Sequence, residues 1–170
     1  MADTDRTRTD ATGQLFDELE RVHAGMLGVD GSGRHMQPMT HFLDRDARCL
    51  RFITASDTDL VAEIGLGAQA QFCVIGKDHD FYACLKGPVT VSEDREKLDE
   101  LWSSVAEAWF EDGREDTKVT LLEMPVAEAA VWSSTGSTLT FAWEIAKANV
   151  ADGKTPDVGE HKIIDFRTAA

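Results

Sequence analysis

The chain is predicted to be mainly β with peripheral helices, an antiparallel barrel closed or nearly closed on itself. Two observations carry this. Short apolar runs of strand-like composition recur between turn signals along most of the 170 residues, and the few helical periodicities fall mostly between strands. Closure follows because it leaves no sheet edge exposed.

Residues 12–24 open the fold, with Leu15, Phe16, Leu19 and Val22 at helical spacing and Thr12 as the expected cap. Met26 to Val29 is then a short strand, closed by Asp30-Gly31-Ser32-Gly33, residues that tolerate a hairpin turn. The returning strand runs from Arg34 to Leu43 and contains Pro38, which cannot donate to a ladder and so marks an edge, a bulge or a ligand contact. Cys49 to Thr54 follows as a third strand. A short helix from Thr58 to Ile64, capped by Ser56 or Asp57 and ended by Gly65 or Gly67, comes directly after it. The head of that helix presents free N–H groups of the kind that bind phosphate.

Ala70 to Lys77 and Asp80 to Val91 form a strand hairpin turning at residues 77–80. The helix expected after Ser92 carries Leu98, Leu101, Trp102, Val105 and Trp109 on one face. Val119 to Met124 and Ala127 to Trp132 read as further strands, and Phe141 to Asn149 as a last helix. This divides the chain into a flexible leader (1–11), a barrel domain (12–150) and an extended tail (151–170).

Composition excludes several function classes. A net charge of −14, from 31 acidic and 17 basic residues, repels nucleic acid and anionic lipid. No apolar run approaches the roughly 20 residues of a membrane helix, and the polar start is no secretory signal, so the cytoplasm is expected. Cys49, Cys73 and Cys84 show no Cys-x-x-Cys spacing and read as reduced, buried thiols. His35 and His41 share a strand face without acidic or thiol partners at ligand spacing, so no metal site is expected. No nucleophile motif or Gly-rich phosphate loop is present either, so any chemistry would come from a cofactor.

Taken in order, the opening helix before Met26-Leu27, the Gln37-Pro38-Met39-Thr40 strand, Phe52-Ile53-Thr54 before Val61-Ala62-Glu63-Ile64, Trp102 to Trp109-Phe110, and Ala129-Ala130-Val131-Trp132 after Pro125 resemble the pyridoxamine 5'-phosphate oxidase-like FMN-binding split-barrel family, in its general-stress-protein branch. The resemblance implies a split barrel that works as a homodimer, with FMN or another flavin in each cleft between subunits and a small-molecule substrate. It implies ring contacts from Met36, Gln37, Pro38, Met39 and Thr40, and from Tyr82 and Trp109. It implies phosphate contacts around Phe52, Ile53, Thr54, Ser56 and Thr58. Asp59 and Leu60 stand where the family has basic residues, which leaves the phosphate to backbone N–H groups, hydroxyls and Arg34 or Arg51. A flavin-dependent oxidoreductase is the first expectation, and a non-catalytic flavin holder or a dimer without cofactor the alternative. A true pyridoxamine phosphate oxidase is not expected, because residues 161–167 lack that enzyme's Arg-x-His element.

Overall fold

The computed structural model describes residues 3–102, 110, 113, 116–134 and 159–167. In chain order the described elements are α1 (Thr4–Thr9), α2 (Ala11–Arg21), β1 (Ala24–Val29), β2 (Gln37–Thr40), β3 (Phe42–Asp44), β4 (Cys49–Ala55), α3 (Asp59–Ile64), β5 (Ala68–Ile75), β6 (Phe81–Ser92), α4 (Arg95–Leu101), β7 (Val119–Pro125), β8 (Glu128–Ser134) and β9 (Gly159–Asp165). None of the described helices is long and apolar enough to cross a membrane. The chain divides into two compact units, the long strands β5 and β6 contributing residues to each.

The larger unit, residues 23–72 and 85–127, is built on strands in the order β2-β1-β5-β6-β7-β4-β3. Its alternating apolar residues, among them Leu27, Leu50, Phe52, Phe72, Leu85, Val89, Leu122 and Met124, are buried on one face. Phe72 meets Phe52 and His41 edge-on, each with ring centroids 5.1 Å apart. His41 interrupts the strand expected from Arg34 to Leu43, dividing it into β2 and β3. Its ring lies in the core and not on a face shared with His35.

β2 ends the strand order, so Pro38 sits on an edge where its missing N–H leaves no gap in a central ladder. Beside α4, Leu98, Val119 and Leu121 form an apolar cluster, with the rings of Trp102 and Phe110 tilted at 42° to each other and 5.8 Å apart. Asp94, not Ser92, caps α4 by accepting from the Lys97 N–H at 2.9 Å. Trp109 and the helix expected at 141–149 lie outside the described residues.

The smaller unit holds residues 1–22, 73–84 and 128–170. Its helices are capped by carboxylates: Asp3 caps α1, and Asp10 rather than Thr12 caps α2, accepting from the Gly13 N–H at 2.9 Å. Leu15, Phe16 and Leu19 bury the apolar stripe of α2, and Phe16 stacks on Phe166. Residues 4–9, expected within a flexible leader, form a helix for a reason no local pattern carries. Thr7 is fully buried with its Oγ1 2.7 Å from Ser133 Oγ, Arg8 bonds Glu160 at 2.8 Å, and Lys162 reaches the Arg8 carbonyl at 2.6 Å. Gly159–Asp165, within the expected tail, form β9, paired with β8 from Gly159↔Ser134 to Asp165↔Glu128.

Candidate functional site

The site expected along β2, the end of β4 and the head of α3 falls within the larger unit, and its parts are close. β2 and β4 pass near each other, and α3 follows β4 after a three-residue turn. On β2, Gln37 is half-buried opposite Leu27, Pro38 and Thr40 are exposed, and Met39 is buried. Met36, half-buried just before the strand, lies against Gly28, where a methyl group on the glycine would come within 2.8 Å of Met36 Cγ.

The β4 segment has an open side. β7 pairs with all of β4, from Cys49↔Pro125 to Ala55↔Val119, whereas β3 pairs only with Cys49, Leu50 and Arg51. Beyond Arg51 that second side receives the N–H and C=O of Ile53 and the N–H of Ala55, with no ladder partner among the described residues, while Phe52 and Thr54 face β7 and the Ala55 carbonyl accepts from Thr58. Main-chain N–H and C=O groups left this way need water or a ligand. Phe52 offers a ligand nothing on that side, because its backbone groups face β7 and its side chain is fully buried against Phe72. Ile53 and Thr54 are half-buried.

At the head of α3, Thr58 and not Ser56 or Asp57 is the cap. Its hydroxyl accepts from the Val61 N–H at 3.3 Å and donates to the Ala55 carbonyl at 3.0 Å. The expected phosphate-binding hydroxyl is thus occupied in closing its own helix. Ser56 is exposed and tied through its N–H to the Lys118 carbonyl at 2.7 Å. Gly65 ends the helix with φ of 51°.

Two cations stand at this head. Arg34 bonds Asp59 at 2.6 Å and Glu63 at 2.8 Å, and Lys118 bonds Asp57 at 2.7 Å, holding the Asp57 carboxyl below its ordinary range. Arg34, expected to reach in from a neighbouring strand, reaches the head from the loop before β2. Sequence reasoning missed Lys118, whose only signal was its place just before the strand at Val119. Arg51 does not reach the head. It spans Asp44 at 2.9 Å and Glu123 at 2.7 Å, and those bonds outweigh the cost of its partial burial and leave its pKa raised.

Tyr82 belongs to the other unit, 40% exposed, with its hydroxyl donating to the His79 carbonyl at 2.9 Å. Trp109 lies outside the described residues. A cavity of about 590 Å³, lined by Val29, Asp30, Gly31, Ser32, Glu63, Ala68 and Gln69, contains none of the expected residues. With two carboxylates and no cation on its walls it is a poor seat for a phosphate.

The pattern of the pyridoxamine 5'-phosphate oxidase-like family matches residues 10–157. The chain belongs to that family. A general stress protein 26 from Jannaschia sp. CCS1 is 41% identical over 93% of this chain and 99% of its own, with a TM-score of 0.76. A general stress family protein from Xanthomonas campestris is 28% identical over 81% of this chain and 93% of its own, with a TM-score of 0.67. The general stress FMN/FAD binding protein of Xanthomonas citri is 29% identical over 70% of this chain and 86% of its own, with a TM-score of 0.64. No curated protein is significantly similar to the chain. The fold is therefore the mainly antiparallel split barrel of the pyridoxamine 5'-phosphate oxidase-like proteins, as the sequence pattern predicts.

Proposed function

We propose that the protein binds a flavin, with FMN as the preferred form, along β2 and the open side of β4, and holds its phosphate at the head of α3. The observation that carries this reading is the backbone of Ile53 and the N–H of Ala55, which lack a partner on the β3 side and lead into a helix head flanked by two cations. The Xanthomonas citri relative, an FMN/FAD binding protein by name, supports the choice of ligand.

The donor set fits a flavin phosphate. With the Val61 N–H taken by Thr58, the Asp59 and Leu60 N–H groups of the first turn are left without an intrahelical partner, and Arg34 and Lys118 each offer a charge-assisted bond. Asp57 and Asp59 must release those cations first, which weakens the grip. A bound flavin supplies hydride or electron transfer at its N5 position, and the chain orients the ring and shields it. We further read the protein as a cytoplasmic homodimer acting on a small molecule. Trp132 and Ile163, 42% and 53% exposed on β8 and β9, support self-association.

The paired state of both cations favours one second reading, a non-catalytic protein that holds a flavin without using the phosphate. One experiment separates the two. The purified protein is titrated with FMN and riboflavin while visible absorbance and flavin fluorescence are followed, for wild type, Arg34→Ala and Lys118→Ala. On the first reading each variant weakens FMN by about tenfold, the scale of one charged hydrogen bond, and leaves riboflavin unchanged. Equal affinity of wild type for both flavins establishes the second reading, and binding of neither overturns both. Reduction of the bound flavin by a nicotinamide cofactor then distinguishes an oxidoreductase from a holder, and size-exclusion chromatography gives the oligomeric state.

A further inference from the structure

The sequence spacing of Cys73 and Cys84 hides their position. The Gly76 N–H donates to the Phe81 carbonyl at 2.8 Å, closing the β5–β6 hairpin. Counting back along an antiparallel ladder from that pair sets Ile75 opposite Tyr82, Val74 opposite Ala83 and Cys73 opposite Cys84. Exposure follows the same register. Val74, Phe81 and Ala83 are buried on one face, while Ile75 and Tyr82 are exposed on the other, where the two thiols lie half-buried.

Bonded and non-bonded pairs alternate along such a ladder, so three steps from a bonded pair the Cys73–Cys84 pair is non-hydrogen-bonded. Cα atoms of that pair type are about 4.5 Å apart with side chains close together, within the range of about 4.4–6.8 Å that a disulfide spans. The two thiols sense each other: Cys84, after burial, raises the Cys73 pKa.

We infer that Cys73 and Cys84 form a redox-active dithiol, a modification site on the β5–β6 hairpin that a hydroperoxide converts to an intrachain disulfide. Burial, and then the bond to Cys84, push the Cys73 thiol up to about 12. Cys73 therefore serves as the resolving thiol, attacking second. Cys84 sulfur displaces hydroxide from hydrogen peroxide to give a sulfenic acid. Cys73 sulfur then attacks that sulfenic sulfur, forming the S–S bond as a second hydroxide leaves. The protons lost by the two thiols convert both hydroxides to water, so two thiols lose two electrons in all and the peroxide gains them. Oxidation asks for no movement of the backbone, because the hairpin already holds both sulfurs in place. Disulfides of reducing compartments are typically transient and redox-sensing. The inference is independent of the flavin reading.

Cys49 is the internal control, 5% exposed, with its thiol donating to the Leu50 carbonyl at 3.5 Å and its pKa raised by burial. The test treats the folded protein with hydrogen peroxide, blocks remaining thiols with N-ethylmaleimide and maps the digest by mass spectrometry. The expected result is a Cys73–Cys84 linked peptide, reversed by dithiothreitol, with Cys49 labelled only after unfolding. In Cys73→Ser, Cys84 is expected to stop at a sulfenic acid that dimedone traps. The inference is overturned if both thiols of the treated wild type still take the label, or if they oxidise without linking to each other.

Discussion

Arg51 on β4 sits directly opposite Glu123 on β7, and its Nε bonds the carboxylate at 2.7 Å. The guanidinium's other arm bonds Asp44 at 2.9 Å, so one half-buried cation joins three consecutive strands of the larger unit. Removing Glu123 leaves Arg51 with one carboxylate partner. Glu123→Ala is expected to lower stability by about 1.5–3 kcal/mol, the scale of a hydrogen bond to a charged group. A urea unfolding series measures it, and a midpoint equal to wild type would show the pair to be ornamental.

The same cluster sets an acid limit. The Ala47 N–H, and after it Arg51, hold the Asp44 carboxyl below its ordinary 3.8. A depressed folded pKa stabilises the protein above the unfolded value, and the contribution disappears as pH falls through the folded one. Thermal unfolding is therefore expected to drop below about pH 4, and more gently in Asp44→Asn than in wild type. Parallel acid profiles for the two proteins would remove Asp44 from the account.

Gly87 on β6 lies against the backbone that follows β7. A methyl group there would stand 2.0 Å from the Pro125 carbonyl oxygen, and the Ala127 N–H bond to the Lys86 carbonyl at 2.8 Å prevents the chains from separating. Gly87→Ala is expected to cost about 2–3 kcal/mol or more, at the upper end of overpacking. Gly31→Ala is the comparison, with φ of 75° and nothing within 4 Å of the added carbon. Its cost is about 1–2 kcal/mol, from backbone strain alone. Equal melting temperatures for the two variants would contradict this ranking.

Because the Thr58 hydroxyl closes α3, its removal should act on stability and not on ligand choice. Thr58→Ala is expected to lose about 0.5–2 kcal/mol, and Thr58→Ser to recover most of it. If Thr58→Ala instead weakened FMN selectively against riboflavin with no change in melting temperature, the hydroxyl would belong to the ligand.

Much of the fold could be read from residue patterns. The Leu15-Phe16-Leu19 stripe marks α2, the Asp30 to Gly33 turn marks the β1–β2 hairpin, and Gly65 marks the end of α3. Less could be read at the site. Gln37 to Thr40 was found within a strand, but Pro38 was left as an edge, a bulge or a ligand contact, and only the strand order selects the edge. The cap of α3 was misplaced by one or two residues, since Ser56, Asp57 and Thr58 are all competent caps and only the finished backbone selects among them. Lys118 was missed because it comes to Asp57 from 61 positions along the chain.

The sequence by itself determined the mainly antiparallel barrel and the apolar stripe of α2, since these rest on local periodicity and turn chemistry, and its motifs in order carried the resemblance to the family. Tertiary structure alone decided which charges meet and which backbone stays open. It turned Arg51 to Glu123 and Arg34 to Asp59, ended β3 at Phe42 so that β4 is bare beyond Arg51, and set Cys73 against Cys84. Ladder register and ion pairing depend on residues distant in sequence, and no local pattern encodes that separation.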